Sequence, residues 1–382
     1  MKKTLDILAA LDSFKGSLSS LEAGEAVRRG VLSRFPDAEV TVFAVGDGGE
    51  GTAEALCQSL HAEMHEIPVH DTHMSMISAS FGTVEIGDVK TAIFDMAAAS
   101  GIRFAKEHGL DIMNSTTYGV GEMIRYAVSL GCGEIIVGLG GSGTSDGGMG
   151  ALTALGAVFT DENGASLDGM TSSLGRVRSC DLSPAVRLLS GVKLTLLYDA
   201  AVALTGETGA VRMFSRQKGA SEEMLPALEN AMASYASVCD NYASDAVSMR
   251  PGAGAAGGLG YGLSLIGGQL TPGADFVLDT IGFSEAARTA DLIITGEGKT
   301  DAQTETGKLP MTVAKHSCGK PVVCLCGKNE AGPGLYACGI DAVFAIADGP
   351  ISLEESVERT GELVEKSAYN LVGLALKFQR DS

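Results

Sequence analysis

Short apolar runs recur along this chain, each followed by a polar or glycine-rich loop and then by a stretch with helical spacing. Residues 4–11 (TLDILAAL) are the first run, and Asp12–Gly16 follow as a polar loop. An amphipathic helix is expected from about Ser20 to Phe35, closed by Pro36-Asp37. Glu39–Val45 (EVTVFAV) reads as a second strand, Gly46–Gly51 as a glycine-rich loop and Thr52–Leu60 as a helix. This βαβα order opens a doubly wound parallel sheet, whose strands are covered on both faces and so read as near-continuous apolar runs.

From about Ala62 to Phe94 the pattern changes. Met76–Phe81 and Thr83–Ile86, separated by Gly82, alternate as the arms of antiparallel hairpins do. A helix at Gly119–Leu130 and the buried strand Glu134–Gly138 follow, then a glycine-rich loop and a helix from about Gly147. Lys193–Tyr198 is a strand ending at Asp199, and Ser221–Met249 is expected to be helical. The segment Gly252–Gly262 (GAGAAGGLGYG) adjoins the apolar LSLIGG and is not a flexible linker. Parallel-sheet alternation then returns, with strands at Ala290–Thr295, Pro321–Cys326 and Ala342–Ala347 and helices at Lys308–His316 and Leu353–Phe378. The expected fold class is α/β. Residues 1–61 and 290–382 form a discontinuous, doubly wound, flavodoxin- or Rossmann-like domain, and residues 62–289 form an inserted mixed α/β domain.

Composition narrows the function. In 382 residues, 28 Lys and Arg stand against 47 Asp and Glu, a net charge of −19. A nucleic-acid binder needs a positive field, so that class is excluded. Trp is absent and aromatics are 5%, leaving no aromatic platform for bases or sugars. No apolar run reaches 18 residues, so no membrane span is expected. Asp6 and Asp12 bracket an apolar stretch too short for a secretory signal. The eight cysteines are scattered without a CxxC pair and read as small buried residues in a reducing cytoplasm. The histidines at 61, 65, 70 and 73 match no metal-site spacing. Glycine is the outlier: 51 residues, roughly twice the usual ~7%.

That glycine gathers in loops directly after strands, where open α/β sheets bind ligands and helix N-termini point. The first loop, Asp12-Ser13-Phe14-Lys15-Gly16-Ser17, carries a carboxylate, a cation and hydroxyls suited to an anion. The second, Gly46-Asp47-Gly48-Gly49-Glu50-Gly51-Thr52, lets the backbone approach a ligand closely; its carboxylates meet a polyphosphate chiefly through Mg²⁺ or a substrate hydroxyl. The third runs from Gly138 to Gly148 and satisfies GxGxxG at 138, 140 and 143, with Asp161 beyond it. This imitates a dinucleotide fingerprint and keeps an NAD(P)-dependent oxidoreductase open. A GxSxG around Ser145 lies too far past the strand for a nucleophile elbow. The fourth, Thr295–Thr304, contains GKT, but Ile293 stands where a Walker A motif needs glycine. Asp199, at a strand end, is a candidate base or metal ligand. A non-catalytic nucleotide-binding protein is the remaining alternative.

Taken together, the blocks DSFKGSLSS (12–20), GDGGEGT (46–52), TTYGVGE (116–122), GGSGTSDGGMGAL (140–152), QKGA (217–220), PGAGAAGGLG (251–260) and GEGKTDAQTETGK (296–308) resemble the bacterial glycerate kinase family, type 1, in its own order. The chain departs from that family's pattern at Ala200–Ala203, where Asn-Pro is usual after Asp199, and at Ser145 for Asn. The resemblance implies two α/β domains with the active site in a cleft between them, and ATP-dependent phosphorylation of D-glycerate to 2-phosphoglycerate, with 3-phosphoglycerate less favoured. It also implies Mg²⁺, no macromolecular partner beyond an open question of a homodimer, and a cytoplasmic setting. On that footing the catalytic candidates are Asp199, Asp47, Lys15 and Asp301, with Asp47 and Asp301 for the metal. Ser13, Gly16, Gly48, Gly49, Gly141, Ser142, Gly143, Thr144, Asp146, Gly296 and Gly298 are candidates for the nucleotide. Glu50, Lys218, Lys299, Gln303 and Lys308 are candidates for the substrate, with Arg103 as a further cation.

Overall fold

The computed structural model describes residues 4–242, 246–302, 304 and 308–379, with side chains as far as residue 374. The chain divides into two compact units. The first comprises Met1–Asp47, Gln58–Leu60 and Ala274–Ser382; the second comprises Gly48–Cys57 and His61–Gly273. In chain order the strands are β1 (Asp6–Leu11), β2 (Glu39–Val42), β3 (Glu63–His70), β4 (Met76–Ile86), β5 (Val89–Asp95), β6 (Glu134–Gly138) and β7 (Val158–Thr160). They continue as β8 (Ser179–Asp181), β9 (Lys193–Tyr198), β10 (Gln269–Pro272), β11 (Leu292–Thr300), β12 (Val322–Asn329) and β13 (Ala342–Ala345).

The first unit carries the sheet β13-β12-β11-β1-β2, parallel throughout. Numbered within this sheet the order is 2-1-3-4-5, the flavodoxin-like arrangement. β1 is an interior strand between β11 and β2, so Ile7–Leu11 are all buried and the strand reads as one apolar run. On one face lie the helix Ser20–Arg34, through Ala23, Val27 and Val31, and the helix Thr360–Gln379, through Leu363, Val364, Ala368 and Val372. Ser19 starts the former with a capping box: its hydroxyl accepts from Glu22 N while the Glu22 carboxylate accepts from Ser19 N at 2.8 Å. The helix Leu309–Lys315 packs on β11 and β1. Chain connections leave β1 toward β2 on one side, and β11 lies on the other. The carboxyl ends of β1 and β11 therefore mark the topological switch point, where such sheets open a crevice.

The second unit is built on the mixed sheet β10-β9-β6-β5-β4-β3, with the small antiparallel pair β7-β8 beside it. β3, β4 and β5 are antiparallel neighbours, and β5, β6, β9 and β10 are parallel. Here the sequence reading needs two corrections. Met76–Phe81 and Thr83–Ile86 are one strand, β4, running through Gly82, and the chain reverses at 71–75 and 87–88 instead. The helix expected over Ser221–Met249 is shorter: Leu225–Asp240, then a separate 3-10 turn at Val247–Met249. The fold class is otherwise as expected. No helix among the described residues is long and apolar enough to cross a membrane.

Candidate active site

At the switch point of the first unit lies a cavity of about 350 Å³, whose lining includes the polar residues Asp12, Ser13, Lys15, Asp47, Glu297 and Lys308 and the apolar residues Ile346, Leu353 and Val357. Asp12 follows directly on β1. Its amide donates to Gly296 O at 2.8 Å, which pins the loop to β11, and one carboxylate oxygen accepts from Ser13 N at 2.7 Å. Burial, reinforced by the negative charge of Asp47 and opposed by Lys15, pushes its carboxyl up to about 7. Phe14-Lys15-Gly16-Ser17 form a tight turn closed by the Phe14 and Leu18 backbones, with Gly16 at a φ of +81°. The turn holds Lys15 out, exposed, at the rim. Glu297 is buried; its carboxyl is raised by burial, accepts from Thr304 Oγ1 at 2.7 Å and lies 3.9 Å from Lys308 Nζ. The cavity lining thus combines three carboxylates (Asp12, Asp47 and Glu297) with four lysines (Lys15, Lys299, Lys308 and Lys328) and a set of apolar side chains.

In the second unit, three loops touch backbone to backbone. A Cβ on Gly48, at a φ of +101°, would meet Tyr198 O at 2.5 Å, and one on Gly140 would collide with Gly49 and Glu50. These are close approaches only glycine permits, and they account for the density of glycine in both loops. They also bring Glu50 beside Gly141, and Tyr198-Asp199 beside Gly48. Asp95, at the end of β5, accepts from Gly51 N and Ala53 N at 3.1 Å each, holding the loop onto the start of the helix Thr52–Ser59. Burial nonetheless pushes the Asp95 carboxyl up to about 7. The loop after β6 is tied by Ile102 N to Gly141 O (2.8 Å), Gly143 N to Ser100 O (2.9 Å) and Gly147 N to Gly257 O (3.1 Å). Gly257 belongs to the glycine-rich segment 252–262, which turns left-handed at Ala256–Gly258 and packs beneath this loop.

Residues 7–376 match the glycerate kinase family. The chain belongs to the glycerate kinase family. Among curated relatives, it is 38% identical to a glycerate kinase of Bacillus subtilis (strain 168), covering 96% of this chain and 97% of that one. It is 36% identical, with the same coverage of each chain, to the glycerate 2-kinase of Escherichia coli (strain K12). A crystal structure of a protein assigned as glycerate kinase 2 from Salmonella typhimurium LT2 superposes with a TM-score of 0.86 at 35% identity, covering 99% of this chain and 100% of that one.

Within this member of the glycerate kinase family, the candidates from sequence are distributed between the two units. Ser13, Lys15, Asp47, Gly298, Lys299 and Lys308 line the cavity of the first unit. Gly48, Gly49, Glu50, Gly141, Ser142 and Asp199 gather in the second. Several of the remaining candidates are buried or engaged within the fold. Asp146 and Thr144 are fully buried. Asp146 accepts from Thr117 N, Thr117 Oγ1, Gly148 N and Gly150 N, so it is an internal hub. The Gly143 amide is spent on Ser100. Lys218, expected to meet substrate, is only 1% exposed; burial lowers its ammonium to about 7 against the pull of Asp146. Lys299 is held between Asp301 (2.9 Å) and Glu330 (2.8 Å), so neither Lys299 nor Asp301 presents an unbalanced charge. Asp301 is not among the described residues lining the cavity. Gly296 is a buried strand residue packed on Leu325. Arg103 lies over the Phe104 ring at 4.4 Å. Gln303 lies outside the described residues. Asp161 accepts from Asn163 N, Ala165 N and Arg176, and the first helix after the glycines begins only at Met149, so the dinucleotide fingerprint lacks its structural context.

Sequence reasoning left out Asp12 and Glu297, which line the cavity, and Asp95, which holds the backbone of residues 51–53. The signal for Asp12 and Asp95 was their position, immediately at the end of an apolar strand. For Glu297 it was an acid within the buried alternation of β11. Magnesium takes hard oxygen donors, commonly one or two carboxylates completed by phosphates and water. Asp47, which lines the cavity and whose charge reaches Asp12, fits it. Among the described residues no three His, Cys, Asp or Glu side chains gather closely enough to hold an ion by themselves.

Proposed function

We propose that this chain transfers the γ-phosphoryl group of ATP to the 2-hydroxyl of D-glycerate, giving 2-phosphoglycerate and ADP. The carrying observation is the cavity at the β1–β11 switch point, lined by carboxylates, lysines and apolar side chains, in a chain of the glycerate kinase family. Phosphoryl transfer asks mainly for positioning and charge neutralisation. Lys15 and Lys308 neutralise phosphate oxygens, with Lys308 also available to the glycerate carboxylate. Asp47 would hold Mg²⁺, which when bound neutralises phosphate charge. A bond forms between the substrate oxygen and phosphorus as the bond from phosphorus to the bridging oxygen of ADP breaks. The hydroxyl proton passes to a carboxylate, for which Asp12 and Asp199 are the two candidates. Ser142 and the loop around Gly141 donate to phosphate. The eight free thiols and the nucleotide co-substrate suggest the cytoplasm as the working compartment.

The test is ADP release with D-glycerate, ATP and Mg²⁺, with the product passed to enolase, which consumes 2-phosphoglycerate directly. ADP release with immediate enolase turnover is expected. Release that needs a phosphoglycerate mutase first would move the reaction to the 3-hydroxyl, and no release from any small hydroxy acid would end the proposal.

A further inference from the structure

Lys218 sits on a 3-10 turn, Arg216–Lys218, with its whole side chain enclosed in the second unit. Its ammonium donates to Ser142 Oγ at 2.7 Å and to Thr144 O at 2.7 Å. The turn is itself fastened to the same loop, since Ser215 Oγ bonds Ser145 Oγ at 3.1 Å and Lys218 N donates to Ser215 O at 3.1 Å. An isolated charge so deep is costly. A core would normally place an apolar residue there, so the position asks for a reason.

The proton inventory supplies one. An ammonium has three protons and no lone pair, so toward Lys218 the Ser142 oxygen can only accept. The hydroxyl proton of Ser142 must then point another way, and among the described residues it has no acceptor. The same holds for the amides of Gly140, Gly141 and Ser142, whereas those of Leu139, Gly143, Gly147 and Gly148 are all engaged internally. Three consecutive uncommitted amides and one oriented hydroxyl are the donor set of an anion-binding nest. Gly141 and Ser142 are partly exposed, unlike the buried Gly143 and Thr144 that follow.

We propose that Lys218 is a positioning residue for phosphoryl binding: by donating to Ser142 Oγ and Thr144 O it fixes the 140–142 loop and turns the Ser142 hydroxyl outward as a donor to phosphate oxygens of ATP. The lysine itself touches no ligand. This rests on the phosphoryl-transfer reading above.

The experiment is a double-mutant cycle on Ser142→Ala and Lys218→Met, at a pH of about 6 where the ammonium is charged. KM for ATP, KM for D-glycerate and kcat are measured separately, and circular dichroism melts are recorded for each variant. Ser142→Ala should raise the ATP KM roughly ten- to hundredfold, as loss of a hydrogen bond to a charged group does. Lys218→Met should reproduce most of that rise, and the double variant should be no worse than Ser142→Ala alone. Ser142→Thr, which keeps the hydroxyl, should restore ATP binding. If Lys218→Met does not fold, Lys218→Gln, which retains two N–H donors, takes its place. A folded Lys218 variant with wild-type ATP KM, multiplicative effects in the double variant, or a shift confined to D-glycerate would each overturn the proposal. So would an unchanged ATP KM in Ser142→Ala, while ADP release by the wild type would leave the proposed function standing. Should the wild type release no ADP, titration with a fluorescent ATP analogue reads the same cycle as binding constants.

Discussion

Replacing Asp95 by Asn tests whether burial, and not its hydrogen bonds, governs this carboxylate. Its oxygens take the Gly51 and Ala53 amides at the start of an eight-residue helix, an arrangement that favours the anion. Burial outweighs this and pushes the carboxyl from 3.8 up to about 7, with Glu50 and Glu54 adding to the rise. Between those two values the folded protein binds more protons than the unfolded chain. Unfolding free energy therefore falls as pH rises from about 4 to about 7, and is flat outside that window for this group. At about 1.4 kcal/mol per tenfold change in proton affinity, the loss is about 4 kcal/mol. Asn cannot ionise, so it removes the window, but its NH₂ faces one of the two amides at a cost of about 1–3 kcal/mol. Near pH 4 the variant should be no more stable than wild type. Near pH 8 it should gain relative to wild type by about 1–3 kcal/mol. Urea midpoints followed by circular dichroism at both pH values check this. A variant destabilised by the same amount at both would refute the reasoning, because then only the lost hydrogen bond matters.

Asp12→Asn should lower kcat by about a hundredfold or more while changing the ATP KM little, as loss of an interaction made mainly in the transition state does; steady-state kinetics decide. Lys299→Ala should change kcat/KM by less than about threefold, because its charge is already matched by Asp301 and Glu330 at an exposed rim, and a larger loss would return it to the substrate. Asp146→Ala should lower unfolding free energy by about 3–5 kcal/mol, since four donors around Thr117 and Gly148–Gly150 lose their acceptor, with the melt showing the loss even where activity assays are silent.

Strand identity along the first unit was legible because its central strands are covered on both faces. Ile7–Leu11 and Leu292–Thr295 have no polar alternation to confuse with a helix, and their length limits them to strands. The loops after those strands carried the candidate chemistry for the same reason: a parallel sheet delivers every strand's carboxyl end to one edge. What periodicity could not fix was where a strand pauses. Gly82 reads as a turn, yet it lies inside β4, because pairing with Met64 on one side and Ile93 on the other holds it extended.

Residue type and position in the chain thus determined the class of fold, the family and the loops that matter. Only the tertiary structure decided which polar side chains in those loops face a cavity and which are consumed within. Lys218, Asp146 and Thr144 look from sequence like ligand contacts beside Ser142. Packing of the 215–218 turn and the 252–262 segment against their loop encloses all three. Asp12, by contrast, reads only as one polar member of an anion-suited loop and emerges in the cavity lining. Burial and hydrogen-bond partnership depend on neighbours distant in the chain, so one-dimensional pattern carries no record of them.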